Sequence, residues 1–268
     1  MLAIAKNEWR FFLLAIGFLT RIPVSSIANF QVNDLNHTVR YFPLIGIIVG
    51  LVGAFSFYLS SFIYPQTIAV LISMACTIYL TGAFHEDGLA DSADGLGGGW
   101  DREQILTIMQ DSRLGTYGAV ALFLMLFAKF QTLALLHPAF IPSVLIAGHA
   151  LSRLCAVWLM ATAEYVKPEG KSKPLATKTR LGGLVVANLF GLLPVLATTG
   201  LLIVSNHSYL IVVEFVMMAF LPVLASWLWW RAKLLKNLGG YTGDCLGAAQ
   251  QITELAFYLG VLAWSVQL

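Results

Sequence analysis

Asp87, Asp91 and Asp94 recur at i, i+4 and i+7 in the stretch FHEDGLADSADGLGGGWDREQ, residues 84–104, with Glu86 and Asp101 close by. If the helix that begins near Gln66 runs on through this stretch, the three carboxylates lie along one face. Like charges so placed repel, and a cation among them removes the repulsion. Ligands that offer only oxygen select Mg²⁺, Mn²⁺ or Ca²⁺ over the thiolate-seeking metals. A solvated acidic loop capping a helix is the plain alternative. The glycines at 88, 95, 97, 98 and 99 weigh against it. Glycine lets backbone approach a ligand and turn N–H groups toward an anion, which marks Gly95 and Gly98 for contact with substrate phosphate. Mg²⁺ usually reaches a protein through a few carboxylates plus the phosphates of its substrate, so metal and phosphate are expected together.

Other reactive groups stand nearby in the chain or at similar positions. Asp111 and Arg113 in IMQDSRLGTYG supply a fourth carboxylate and a guanidinium suited to a transferring phosphoryl group; a surface ion pair is the other reading. Asp244 in GGYTGDCLGAAQQ is either a ligand or the N-cap of the last helix. His85 beside Glu86 suits proton removal from an attacking hydroxyl, or a hydrogen-bonding surface role. Arg153, one turn after His149, is either a phosphate ligand or half of an ion pair inside the bundle. Lys129 is deep in an apolar run, with no partner legible in the sequence. Asp34 has no acidic neighbours and reads as an ordinary loop residue. The run EYVKPEGKSKPLATKTR fits a general excess of positive charge on one side. Cys76, Cys155 and Cys245 have no paired spacing and read as small core residues.

These groups must be carried by elements of an oily chain. With 58% hydrophobic and 11% charged residues among 268, the composition is that of an integral membrane protein. Apolar runs near the ~20 residues of a spanning helix occur at 41–63, 66–84, 116–136, 140–161, 182–204, 209–230 and 248–268. The expected architecture is an all-α polytopic helix bundle of about seven spans, one membrane domain over residues 1–268. The segment 9–19 is too short to span and is expected to lie half-inserted or at the interface. Twelve of the sixteen basic residues fall in the loops 21–40, 85–115, 162–181 and 231–247, and the alternate loops carry none. Basic residues stay on the cytoplasmic side, so the acidic stretch is expected to face the cytoplasm. No interleaving of basic and aromatic residues suggests nucleic acid as a partner.

Six strings in this order, FLTRIPV, YFPLIGIIVG, FHEDGLADSADGLGGGWDREQ, IMQDSRLGTYG, HALSR and GGYTGDCLGAAQQ, resemble the adenosylcobinamide-GDP ribazoletransferase (cobalamin synthase) family along nearly the whole chain. The resemblance implies a multi-pass enzyme of the bacterial inner membrane, surrounded by membrane lipid. It would join adenosylcobinamide-GDP to α-ribazole or its 5'-phosphate and release GMP, with Mg²⁺ as cofactor. By that chemistry Asp87, Asp91 and Asp94 hold the metal, Asp111 completes the site, Arg113 or Arg153 steadies GMP, and His85 or a carboxylate assists the hydroxyl. The short N-terminal apolar segment departs from the pattern, and the oligomeric state is not addressed by the sequence. Asp91 to Gly95 also matches the D-x-x-D-G core of CDP-alcohol phosphotransferases. The A-R that should follow is replaced by Gly98 and Gly99. A cation transporter would place its carboxylates near the bilayer midplane, whereas here they crowd one surface.

Overall fold

The structure, a computed structural model, describes residues 2–24, 34–167, 181–205 and 208–267. Lys171, Lys173, Lys178 and Arg180 of the basic loop lie outside these residues. The helices are α1 (Leu2–Leu19), α2 (Leu35–Thr38), α3 (Phe42–Ser61), α4 (Gln66–Thr81), α5 (Phe84–Gly98), α6 (Arg102–Ile108), α7 (Thr116–Leu135), α8 (Ile141–Thr162), α9 (Leu181–Val204), α10 (Tyr209–Leu238) and α11 (Gly243–Ser265). Among the described residues no strand occurs. Only an isolated bridge joins Tyr165 to Tyr241.

Five helical segments are long and apolar enough to cross a membrane: 36–61, which contains α3, and α7, α8, α9 and α10. A sixth span is possible if α4 and α5, bent by 85° to one another, are taken together. Of the seven runs read from the sequence, 66–84 yields the 16-residue α4, too short to span alone, and the last differs in kind. At 23 residues α11 is long enough, but it carries Asp244, Gln250, Gln251 and Glu254 and is not apolar enough to count. It tolerates them because neighbouring helices, not lipid, surround them: Gln250, Gln251 and Glu254 are all buried. α1 is a full 18 residues, longer than its apolar stretch, and does not count as a span.

α8 is the hub, with 83% of its most apolar window buried against 17% for α9. It packs on α3, α9 and α11, while α11 also packs on α5, α7 and α10. Close approach of α3 and α8 depends on Gly46 and Gly50, where a side chain would strike the backbone around Ile146 and His149. The 30 residues of α10 make it about 45 Å long, well beyond the ~30 Å hydrocarbon thickness. Its last turns carry Arg231, Lys233 and Lys236.

The helix from Gln66 does not continue through the acidic stretch as expected. It ends at Thr81, and Gly82 (φ 67°) and Ala83 (φ 56°) turn left-handed to send α5 off at 85°. α5 therefore runs across the end of the bundle, outside the apolar spans. Asp34 is also not an ordinary loop residue. It is buried, and Arg10 of α1 donates to its carboxylate at 2.8 Å.

Candidate active site

The acidic stretch is a helix of its own. α5 begins with Glu86 and Asp87 in its first turn, where negative charge opposes the positive end of the helix dipole. Along its acidic face burial deepens: Asp87 is exposed, Asp91 half-buried and Asp94 buried.

α5 meets the start of α11 through Gly88. A Cβ there would lie 2.8 Å from the Asp244 carbonyl oxygen, so only glycine permits the contact that brings Asp244 to the α5 face. Asp244 is not the N-cap of α11. Thr242 takes that position, its hydroxyl accepting from the Cys245 N–H, which frees the Asp244 carboxylate to accept from Lys167 Nζ at 2.8 Å. Lys167 is held in reach by the bridge between the two loops. Val166 N–H donates to the Tyr241 carbonyl and Tyr241 N–H to the Glu164 carbonyl. The sequence gives no sign of this lysine's special position, which depends on a contact across 77 residues.

The cost of gathering this charge is visible at Asp91. Its carboxyl is pushed up to about 7, first by burial and then by Asp87 and Asp244, with Lys167 pulling the other way. Asp94 answers a different demand. Its two oxygens accept the N–H groups of Gly115 and Gly118, each at 2.8 Å, and so satisfy the otherwise unpaired start of α7.

The glycine-rich tail is not a phosphate-binding loop. Gly95 and Gly98 lie within α5, where amide N–H groups serve the helix ladder. A Cβ on Gly95 would lie 2.6 Å from Met109 Cγ, so this glycine seats the helix against the 105–109 segment. Gly98 is exposed. Asp111 and Arg113 pair with each other at 2.7 Å in the exposed loop before α7. The guanidinium holds the Asp111 carboxyl down to about 2.

His85, Glu86 and Arg153 belong to a second, interior layer. His85 is buried and shares a small cavity with Arg153 and Gln250. Arg153 donates to the His149 carbonyl at 3.0 Å, while its buried Nε has no hydrogen-bond partner. Glu86 Oε1 accepts from Gln251 Nε2 at 3.0 Å, and Gln251 Oε1 accepts from Lys129 Nζ at 2.8 Å. Lys129 also donates to Glu254 at 2.7 Å, and His149 Nδ1 lies 3.1 Å from the other Glu254 oxygen. Lys129 thus has its partner. Glu254, Gln250 and Gln251 form a polar core whose trace in the sequence is the QQ pair followed by Glu254 within an apolar run.

Among the described residues no group of three His, Cys, Asp or Glu side chains is gathered closely enough to enclose a metal ion. Burial, Asp87 and Asp244 nevertheless make Asp91 hold its proton unusually tightly, and a cation bound there would relieve that crowding. Concentrated carboxylate charge without a closed cage suits Mg²⁺, which completes its shell with water and substrate phosphate. Asp94, with both oxygens engaged, can stand only at the edge of such a site.

The chain belongs to the cobalamin-5-phosphate synthase family, whose model matches residues 11–262. It is similar to an adenosylcobinamide-GDP ribazoletransferase of Ralstonia pickettii (strain 12J), at 44% identity over 97% of each chain. Proteins of the same name from Shewanella frigidimarina (strain NCIMB 400) and Ralstonia nicotianae (strain ATCC BAA-1114 / GMI1000) are 43% and 42% identical, over 96% and 99% of this chain and 95% and 99% of theirs. No solved structure matches.

Proposed function

We propose that this member of the family joins adenosylcobinamide-GDP to α-ribazole or α-ribazole 5'-phosphate and releases GMP. The activity named for its relatives supports the reading, and one observation in the geometry carries it. Asp87 and Asp244 lie near enough to Asp91 to raise its carboxyl, and Lys167 pairs with Asp244 beside them, a concentration of charge that suits transfer from a diphosphate. A ribose hydroxyl oxygen bonds to the phosphorus that bears the cobinamide aminopropanol. The bond from that phosphorus to the bridging oxygen breaks, and GMP leaves with the electron pair.

Such a transfer needs positioning and charge neutralisation more than covalent help from the protein. Asp87, Asp91 and Asp244 would hold Mg²⁺, which when bound neutralises the diphosphate. Lys167 sets the direction of Asp244 and adds positive charge beside it. Asp94 fixes the start of α7 against α5. Arg113, exposed to solvent on its pair with Asp111, is the guanidinium placed to meet leaving GMP, while Arg153 is buried in the bundle. His85 and Glu86 face inward, so they set the placement of α5, and the hydroxyl proton passes to a carboxylate of the open face.

The acidic end faces the cytoplasm of the bacterial inner membrane in this reading. The excess of lysine and arginine on that side supports it. Purified protein mixed with adenosylcobinamide-GDP, α-ribazole 5'-phosphate and Mg²⁺ should yield GMP and a cobalamin phosphate in equal amounts. Absence of both products from folded protein would refute the assignment.

A further inference from the structure

Behind the acidic face of α5 lies a second feature that the transfer reaction does not use. A groove of about 840 Å³ opens between α7 and α10, walled at the back by α5 and α11. Its volume falls within the range of small-molecule sites. Its lining is apolar apart from the hydroxyls of Ser92, Thr116 and Tyr117, the indole N–H groups of Trp229 and Trp230 and one cation, Lys233. That cation lies 5.5 Å over the Trp229 ring and forms no ion pair among the described residues.

The groove has the dimensions and polarity of one membrane leaflet. Along α7 it extends from Thr116 to Ala128, which at 1.5 Å per residue is roughly 18 Å. Half of the hydrocarbon core is about 15 Å. Trp229 and Tyr117 stand half-exposed on opposite walls. Such aromatic side chains concentrate at the level of the lipid headgroups. Lys233, one turn beyond Trp229 toward the bundle end, is placed at headgroup height, while the walls below it match acyl chains.

We propose that this groove is a binding site for one anionic phospholipid, its acyl chain between α7 and α10 and its phosphate at Lys233. A polar, amide-rich ligand would leave its donors and acceptors unpaired against these walls. A juxtamembrane lysine contributes about 1 kcal/mol toward an anionic lipid, equivalent to roughly a fivefold preference at RT ≈ 0.59 kcal/mol. A lipid seated here also packs against the back of α5, opposite the carboxylates.

The full chain, reconstituted in nanodiscs containing equal phosphatidylglycerol and phosphatidylcholine, can be released into the gas phase and its retained lipids weighed. The site predicts one phosphatidylglycerol per chain, in about fivefold preference. Lys233→Gln should abolish the preference but not the retention, and Ala121→Trp, which fills the groove, should abolish the retention. Circular dichroism checks that both variants fold, and Lys233→Gln, a change at the partly exposed mouth of the groove, keeps the test decisive if Ala121→Trp does not. Equal retention of both lipids by the parent, or unchanged preference in Lys233→Gln, would overturn the proposal. Stoichiometric displacement of the lipid by adenosylcobinamide-GDP would overturn it too, by assigning the groove to substrate.

Discussion

Lys129 Nζ and Glu254 Oε1 lie 2.7 Å apart, both buried, joining α7 to α11 across 125 residues of chain. The pair shares its surroundings with His149 and Gln251 and, through Gln251, reaches Glu86 on α5. The interior of the bundle thus helps fix the helix that carries the open carboxylates. Breaking a buried pair leaves one uncompensated charge at a cost of about 3–5 kcal/mol. Glu254→Gln and Lys129→Met should each destabilise by that amount. The double variant should be more stable than either single one, as thermal unfolding in detergent would reveal. Strictly additive losses would show that the two charges are not coupled.

Asp94 and Asp91 should part company when each is changed to Asn. Asp94→Asn removes one of two charge-assisted bonds to the start of α7, worth about 2 kcal/mol, and its unfolding midpoint should drop. Asp91→Asn should not destabilise and should alter the pH profile. The Asp91 carboxyl sits at about 7 in the folded chain against 3.8 for the ordinary group. A raised folded value means stability that is present below the ordinary value and lost as pH climbs through 7. In chelator-treated protein the midpoint should therefore fall between pH 5 and pH 8, and Asp91→Asn should flatten that fall. Parallel pH profiles for the two proteins would contradict the charge crowding.

Glycine substitutions separate packing from ligand contact. Gly88→Ala places its Cβ 2.8 Å from a backbone oxygen that cannot yield cheaply, whereas at Gly98 the nearest neighbour is Ile108 Cδ1 at 3.4 Å. Gly88→Ala should push α5 from α11 and lower turnover at least tenfold, and Gly98→Ala should leave it within about twofold. A large loss of substrate affinity in Gly98→Ala alone would restore the phosphate-contact role read from the sequence.

The contrast between these two glycines shows what the sequence can and cannot disclose. Composition and apolar run lengths located α3, α7, α8 and α9 within two residues because each run is local, while α10 runs eight residues past its apolar stretch on a charged last turn. The i, i+4, i+7 spacing placed Asp87, Asp91 and Asp94 on one helix for the same reason. The break at Gly82 and Ala83 was hidden, since alanine gives no warning of a left-handed conformation. The partners of Asp34, Lys129, Asp94 and Lys167 lie 21 to 125 residues away. No spacing rule reaches that far. The glycines were visible, but whether they admit a ligand or another helix depends on which element packs against them.

The sidedness of the acidic end has a direct test at Trp100, which is 94% exposed just beyond α5. Trp100→Cys should resist a membrane-impermeant thiol reagent in intact cells and react in inverted vesicles. Labelling from outside intact cells would place the site on the other surface.

The central claim is that Asp87, Asp91 and Asp244 bind Mg²⁺ together with the substrate diphosphate. It is tested most directly by measuring GMP release against Mg²⁺ concentration for the parent, Asp91→Asn and Arg102→Gln, an exposed control on α6. Asp91→Asn should lower maximal turnover by at least a hundredfold and raise the Mg²⁺ needed for half-saturation, while Arg102→Gln should follow the parent. An Asp91→Asn variant with the turnover and Mg²⁺ dependence of the parent would contradict it.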